Sequence, residues 1–143
     1  MSDSTDFDSW LGLVYDEVSG DRVTAHLDLV PHHMQPYGIL HGGVYCTIVE
    51  SLASTGGARW AIDQGMLGVV GVHNATDFLR SAREGTIAGE GTPLHRGRTQ
   101  QLWVVEITVA GSDRILARGQ VRLQNLRDAE AIGGMTTSSP PGA

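Results

Sequence analysis

Hydrophobic and polar residues alternate along the first part of the chain. Apolar side chains occupy every second position over 11–15 and again over 23–29, with a Ser-Gly-Asp sequence between the two stretches. A period of two residues is typical of half-buried strands, and Ser-Gly-Asp is typical of a turn. We therefore predict a β-hairpin within residues 11–30, followed by a loop rich in Pro and His over 31–38.

The period changes after this loop. Between Gly42 and about Ile62 the apolar residues recur at intervals of three and four, and no Pro interrupts them. This pattern predicts one helix of roughly 30 Å. Four of its positions are Gly (42, 43, 56 and 57). An interior Gly costs a helix about 1 kcal/mol, so their number indicates that a backbone or a ligand approaches closely.

Alternation with a period of two returns after residue 65. The predicted strands cover residues 67–79, 85–94, 101–110 and 115–126. Their short connections require antiparallel neighbours, because a parallel crossover needs about a dozen residues or more. The pattern thus predicts an α+β fold in which one long helix packs against one antiparallel sheet. A single sheet leaves part of such a helix uncovered, so we also expect oligomerisation.

These elements form one domain over residues 10–126, and we expect flexible ends at 1–9 and 127–143. The single cysteine, Cys46, excludes an internal disulfide, and no apolar stretch approaches the roughly 18 residues that a membrane span requires. The N-terminus is acidic, unlike the basic start of an export signal. We therefore expect a soluble, cytoplasmic protein without a membrane partner.

The charge of the chain narrows the choice of ligand. The net charge is −6, and all ten basic residues are Arg. This balance disfavours nucleic acid as a partner, because a phosphate backbone attracts a positively charged protein. Residues 80–98 nevertheless hold four Arg and a His against two Glu. Taken alone, this segment fits either an ordinary salt-bridged surface or a local site for an anion.

The predicted helix carries the candidate chemistry. Glu50 lies among apolar neighbours, and partial desolvation makes a carboxylate more useful as a base or nucleophile. Ser54 follows four residues later, on the same side of the helix, where its hydroxyl can orient the carboxylate or a water. At the start of the helix, Gly42 presents a backbone N–H that can stabilise a developing oxyanion.

The spacing of five residues resembles a known family. Gln35 stands six residues before His41-Gly42-Gly43, Glu50 follows His41 by nine residues, and Ser54 follows Glu50 by four. This arrangement resembles the hotdog-fold acyl-CoA thioesterases of the phenylacetic-acid-degradation type, including aroyl-CoA thioesterases with a helical Glu. The similarity covers most of residues 10–126 and continues weakly in Val72–Asn74 and Arg96-Gly97-Arg98.

The resemblance implies a role for each residue of the motif. Glu50 would be the nucleophile or general base, and Ser54 would position the hydrolytic water. Gly42 N–H would polarise the thioester carbonyl, assisted by Gln35 or His41. Two subunits would join their sheets, so that Glu50 and Ser54 come from one subunit and the other three residues from its partner. The assembly would be a homotetramer, a dimer of dimers.

The resemblance also gives the basic segment a role. A phosphorylated ligand reconciles an acidic protein with a local group of cations, and the phosphates of coenzyme A would bind there. The candidate residues are Arg80, Arg83, His95, Arg96 and Arg98. No cofactor is expected besides the coenzyme A that the substrate itself carries.

Two positions depart from some relatives. Relatives that hydrolyse hydroxyaroyl or naphthoyl thioesters carry a His pair where this chain has Asp77-Phe78. The helical Glu indicates the aroyl-type branch, whereas the missing His pair leaves the acyl group open. Tyr37, Phe78 and Trp60 either line an aromatic pocket or are ordinary core and interface residues.

Three classes of function remain open on the sequence. The leading hypothesis is hydrolysis of an acyl-CoA, with an aromatic acyl group as one option. The second is a non-catalytic hotdog protein that binds acyl-CoA or regulates through it. The third is an enoyl-CoA hydratase or dehydratase that pairs His41 with Glu50. A metal site is not expected, because His32, His33 and His41 lack the spacing of a metal-binding motif.

Overall fold

The computed structural model describes residues 6–128 and contains one antiparallel sheet with a long helix against it. The strands lie side by side in the order β1-β2-β4-β5-β6-β3. The elements are α1 (Phe7–Leu11), β1 (Val14–Val18), β2 (Val23–Asp28), α2 (Gly42–Asp63), β3 (Gly68–Phe78), β4 (Thr86–Arg96), β5 (Gln100–Val109) and β6 (Ile115–Leu126). A single 3-10 turn, Pro31–His33, lies in the loop before α2. The predicted α+β architecture is confirmed.

The long helix and the last four strands lie close to their predicted bounds. The helix was predicted over 42–62 and runs from Gly42 to Asp63, and each strand begins and ends within two residues of its prediction. The change of period from two to 3.6 and back determined these assignments. A 22-residue helix of this kind is about 33 Å long.

The start of the chain differs from the prediction. Leu11 ends the short helix α1 instead of beginning a strand, and β1 starts only at Val14. Asp6 caps α1 by accepting a hydrogen bond from the Ser9 N–H at 2.8 Å, and Gly12 ends it with a φ of 94°. Caps stabilise a short helix without any apolar period, which is why the alternation missed it. Residues 7–9, expected to be flexible, belong to this helix.

Residues 1–5 and 129–143 lie outside the described residues. The second range is most of the C-terminal tail, 127–143, for which we expected flexibility. Within the described part, the strand β6 ends at Leu126, the last residue of the predicted domain.

Two of the helical glycines allow α2 to lie close to the sheet. A Cβ at Gly56 would lie 2.5 Å from the Trp103 ring, and a Cβ at Gly57 would collide with Leu123. Trp103 and Leu123 are both fully buried. The glycine content of α2 therefore reflects close packing of helix against sheet, as the sequence indicated.

The strand β3 forms one end of the sheet and positions the candidate site. Among the described residues it pairs only with β6, and its other edge is open. Apolar side chains on this strand are exposed, including Val70, Val72 and Phe78. An open edge with exposed apolar residues is a surface that a second copy of a sheet can cover.

Candidate active site

The N-terminus of α2 presents one unpaired backbone donor. His41 is the N-cap, and its Nδ1 accepts a hydrogen bond from the Gly43 N–H at 2.8 Å. The Val44 N–H donates to the His41 carbonyl at 2.9 Å. No acceptor for the Gly42 N–H occurs within residues 6–128, as expected for the first residue of a helix. Because Nδ1 of His41 is an acceptor here, only Nε2 remains to donate to a ligand.

Gln35 lies beside this donor. Gln35 and Gly42 line one cavity of about 300 Å³ together with Tyr45 and Phe78. The Oε1 atom of Gln35 accepts a hydrogen bond from the Tyr37 N–H, so the amide NH₂ group is the part that can donate to a ligand. The structure therefore brings Gln35 and Gly42 together, as the motif predicted.

Phe78 forms the apolar wall of this cavity. Its ring packs against Gly42 and lies 5.8 Å from the Tyr45 ring, measured between centroids. Tyr45 is buried and donates a hydrogen bond to the Arg80 carbonyl at 3.0 Å, and burial raises the pKa of its hydroxyl. The other two aromatic candidates lie elsewhere. Tyr37 is 85% exposed, and Trp60 stands near the far end of α2.

The carboxylate of Glu50 lies where α2 faces β3. Asn74 donates to its Oε2 at 3.1 Å, and Ser54 Oγ lies 3.5 Å from its Oε1. Glu50 is half-buried and also contacts Gly71, where a Cβ would collide with Oε1. The predicted pair of Glu50 and Ser54 is therefore in contact, at the long limit of a hydrogen bond.

The two halves of the motif are separated within one chain. Gly42 and Glu50 are eight residues apart on α2, which corresponds to about 12 Å along the helix axis. A carbonyl group held by the Gly42 N–H is therefore out of reach of Glu50 in the same chain. We call Gly42, with Gln35 and His41, the donor half of the site, and Glu50, with Ser54, the carboxylate half. The described chain contains one of each.

The basic residues divide into two clusters. Arg80 and Arg83 lie near the N-terminus of α2, where they donate to the carbonyls of Ile115 at 2.6 Å and Gly38 at 3.2 Å. We call these two residues the first basic cluster. The sequence segment 80–98 therefore does not form a single cationic patch.

The second basic cluster consists of Arg96, Arg98 and Arg127 and lies near the C-terminus of α2. These residues line a cavity of about 490 Å³ with Trp60. The guanidinium of Arg96 already has two partners within the chain. It pairs with Asp21 at 2.7 Å, and its central carbon lies 5.7 Å from the centroid of the Trp60 ring.

His95 lies on the exposed end of β4, beside the second basic cluster in sequence. Arg127 donates to the Arg98 carbonyl at 2.6 Å. The sequence missed Arg127, because it assigned that residue to a flexible tail.

Asn74 and Gly71 contact Glu50, and Thr76 donates a hydrogen bond to Asn74; none of these three residues was assigned a role from the sequence. Asn74 stood only in a weakly similar segment, and no spacing rule connects a strand residue to a Glu on a helix 24 positions earlier.

Among residues 6–128, no three His, Cys, Asp or Glu side chains cluster in a way that could hold a metal ion. In the same range no helix has the length and apolar composition needed to cross a membrane.

Comparison with known proteins identifies the family. The model of the thioesterase superfamily matches residues 37–116, and the chain belongs to this superfamily. A Mycobacterium tuberculosis protein named only as an esterase is 53% identical over 121 residues, 84% of this chain and 86% of that protein. The 1,4-dihydroxy-2-naphthoyl-CoA hydrolase of Escherichia coli is 34% identical over 98 residues, 68% of this chain and 71% of that enzyme.

Solved structures agree with this assignment. The M. tuberculosis esterase structure has a TM-score of 0.81 at 52% identity and covers 85% of this chain and 97% of its own. The structure of AziG from S. sahachiroi has a TM-score of 0.81 at 45% identity, covering 86% and 98%. The fold is the hotdog fold, and the chain is a thioester hydrolase. Of the three classes left open by the sequence, these findings support hydrolysis.

Proposed function

We propose that the protein hydrolyses acyl-CoA thioesters to the free acid and coenzyme A in a site shared by two subunits. The Gly42 N–H of one subunit binds the thioester carbonyl, and Glu50 of the partner subunit acts as general base or nucleophile. The observation that carries this proposal is the separation of about 12 Å between an unpaired helix-terminal donor and a hydrogen-bonded carboxylate on one helix.

The reaction balances with these groups alone. If Glu50 acts as base, it takes a proton from water while the water oxygen bonds to the carbonyl carbon. The resulting oxyanion accepts a hydrogen bond from the Gly42 N–H, which the helix dipole makes a stronger donor. Collapse of this intermediate breaks the C–S bond, and the thiolate of coenzyme A takes the proton. If Glu50 is the nucleophile, its carboxylate oxygen bonds to the carbonyl carbon, the C–S bond breaks, and the thiolate of coenzyme A leaves. Water then hydrolyses the mixed anhydride, which restores the Glu50 carboxylate, releases the acid and supplies the proton that the thiolate takes.

The open edge of β3 supports the shared site. Two copies of β3 that pair across a twofold axis would extend one continuous sheet and cover the exposed Val70 and Val72. Since α2 packs beside β3, the same axis places the two helices side by side in opposite directions. The donor end of one helix then faces the middle of the other. The tetramer predicted from the resemblance would add a second dimer to this unit.

The two basic clusters fit a substrate with phosphates at one end. The second basic cluster lies on the subunit that supplies Glu50, about 20 Å along α2 from that residue. The first basic cluster lies beside the loop that holds Gln35 on the other subunit. Arg forms bidentate contacts with phosphate oxygens, and we assign both clusters to coenzyme A. His95 stands beside the second cluster and shares this assignment.

The cavity beside Gly42 favours an apolar, flat acyl group. Its apolar lining combines the rings of Phe78 and Tyr45 with three aliphatic side chains, those of Ile39, Leu40 and Leu79. Gln35 supplies a polar group near the carbonyl. The naphthoyl-CoA hydrolase among the relatives supports an aromatic acyl group as the first to test. Phe78 makes this wall less polar than a His at the same position would.

A panel of acyl-CoAs tests the function. We expect thiol release by the wild type, fastest with aromatic acyl groups, and loss of roughly 100-fold or more in kcat for Glu50→Gln. Glu106→Gln is the matched control, because Glu106 pairs with Arg118 on β6 and has no contact with α2 residues of the site. Binding of acyl-CoA without hydrolysis, hydration of crotonyl-CoA instead of thiol release, or full activity in Glu50→Gln would contradict the proposal.

A further inference from the structure

The Asn74 side chain is fixed on all of its polar sides. Its Nδ2 lies 3.1 Å from Glu50 Oε2 and 3.2 Å from the Cys46 carbonyl, and both of these oxygens are acceptors. The NH₂ group must therefore face them, and Oδ1 must face the opposite side. There it accepts a hydrogen bond from Thr76 Oγ1 at 2.7 Å. The orientation of the amide is thus determined by three partners.

A bulge in β3 is the reason that Asn74 faces the helix. Gly71 pairs with Leu123 and His73 with Arg122, so Val72 is one extra residue in β3. Side chains point alternately to the two faces of a sheet, so one extra residue reverses the face to which each following residue in the sequence would otherwise point. Before the bulge, residues 69 and 71 face α2. After it, residues 74 and 76 do so. If side chains alternated regularly through residue 72, Asn74 would lie on the same face as Val70 and point away from Glu50.

Two glycines leave room for this arrangement. A Cβ at Gly71 would collide with Glu50 Oε1, and a Cβ at Gly119 on β6 would lie 2.6 Å from Thr76 Oγ1. Gly119 pairs with Thr76 across the two strands. Both ends of the chain of hydrogen bonds therefore lie against positions where any other residue would displace them.

We infer that Asn74 and Thr76 are positioning residues for Glu50. Thr76 fixes the amide of Asn74, and Asn74 holds Oε2 of the carboxylate. Oε1, which lies against Gly71 and whose hydrogen-bond contact with Ser54 is the longer one at 3.5 Å, is then the oxygen that acts on water or the thioester. This inference rests on the proposed function, in which Glu50 carries out the chemistry. In this role the effect of Asn74 and Thr76 on the reaction passes through Glu50.

Steady-state kinetics separate this role from a structural one. We expect Asn74→Ala to lower kcat roughly 10- to 100-fold, because a displacement of about 1 Å in a reacting group costs that much, with KM little changed. Thr76→Val removes only the hydroxyl and should lower kcat by about 3- to 10-fold, whereas Thr76→Ser keeps the hydroxyl and should restore it. Thr92→Val is the matched control, since Thr92 lies on β4 away from Glu50.

The outcomes distinguish this inference from the proposed function. Loss of activity in Glu50→Gln with unchanged kcat in Asn74→Ala, or equal kcat in Thr76→Val and Thr76→Ser, would overturn the positioning role and leave the hydrolysis intact. An Asn74→Ala protein that does not fold leaves the Thr76 pair to decide. Absence of turnover in the wild type would overturn the proposed function. It would leave the contact between Asn74 and Glu50 to be tested by a second measurement, which does not depend on activity.

That measurement is the ¹H–¹⁵N spectrum of the Asn74 side-chain amide. Its two signals are assigned by their disappearance in Asn74→Ala or, if that variant does not fold, in Asn74→Ser. We expect one of the two protons to shift strongly in Glu50→Ala, which removes its acceptor, and both to stay in place in Thr92→Val. Amide signals that do not move in Glu50→Ala would show that Asn74 does not hold the carboxylate.

Discussion

The ring of Phe78 lies directly against Gly42, and a Cβ at residue 42 would stand no more than 3.0 Å from three of its carbon atoms. The residue that ends β3 thus packs against the residue that supplies the backbone donor at the start of α2. Because Phe78 is still 54% exposed, it can contact both this donor and a bound acyl group.

This contact predicts that Phe78 sets the acyl preference. Phe78→Ala should lower kcat/KM for benzoyl-CoA by roughly 10-fold or more and change it little for acetyl-CoA, because removal of an apolar wall weakens only ligands that reach it. Phe7→Ala is the matched control, since Phe7 is similarly exposed but lies on α1. An equal loss for both substrates would mean that Phe78 supports the fold and does not contact the acyl group.

The second basic cluster should bind the nucleotide end of coenzyme A. We expect Arg98→Ala with Arg127→Ala to raise KM for an acyl-CoA roughly 10-fold, with a smaller effect at high salt, because the contacts are ionic. The corresponding N-acetylcysteamine thioester lacks the nucleotide, so its kinetics should not change. Arg118→Ala serves as the control, since Arg118 pairs with Glu106 elsewhere on the sheet. Equal effects on both thioesters would assign the cluster a structural role.

Tyr15 should make the stability of the fold sensitive to alkaline pH. Burial, together with the neighbouring carboxylate of Asp8 at 2.7 Å, raises the pKa of Tyr15 above its ordinary value of about 10. The raised pKa means that the folded state keeps the proton longer than the unfolded chain does. The associated stability is therefore complete below about pH 10 and is lost as the pH rises above that value.

Urea unfolding at about pH 8 and about pH 11 measures this effect. The midpoint of the wild type should fall between the two, and Tyr15→Phe should reduce the fall while costing about 1 kcal/mol at pH 8 through the lost hydrogen bond. Tyr37→Phe, at an exposed position, is the control. An undiminished alkaline fall in Tyr15→Phe would assign the effect to another group.

The sequence predicted the elements of the fold well because the period of the hydrophobic pattern changes sharply at Gly42 and again after residue 65. It missed α1, since five residues held by an Asp cap carry no period. It also gave no sign of the bulge at Val72, which depends on pairing with β6 and not on local composition.

The candidate site was predictable to a similar extent. Gln35, Gly42, Glu50 and Ser54 follow one another at fixed intervals, and the structure places Gln35 by Gly42 and Ser54 by Glu50. Asn74 and Arg127 could not be found in this way, because their contacts join segments distant in the chain. The apparent Arg patch was divided for the same reason, since β4 carries Arg96 to the far end of α2.

Mixing of two inactive variants tests the shared site most directly. Glu50→Gln retains the donor half, and Gly42→Val retains the carboxylate half. In a dimer that contains one subunit of each kind, one of the two sites unites both intact halves. Random exchange makes about half of the dimers mixed, so the account predicts recovery of about a quarter of the wild-type activity. Activity that stays at the level of the separate variants, in a sample shown by mass to contain mixed dimers, would contradict a site built from two subunits.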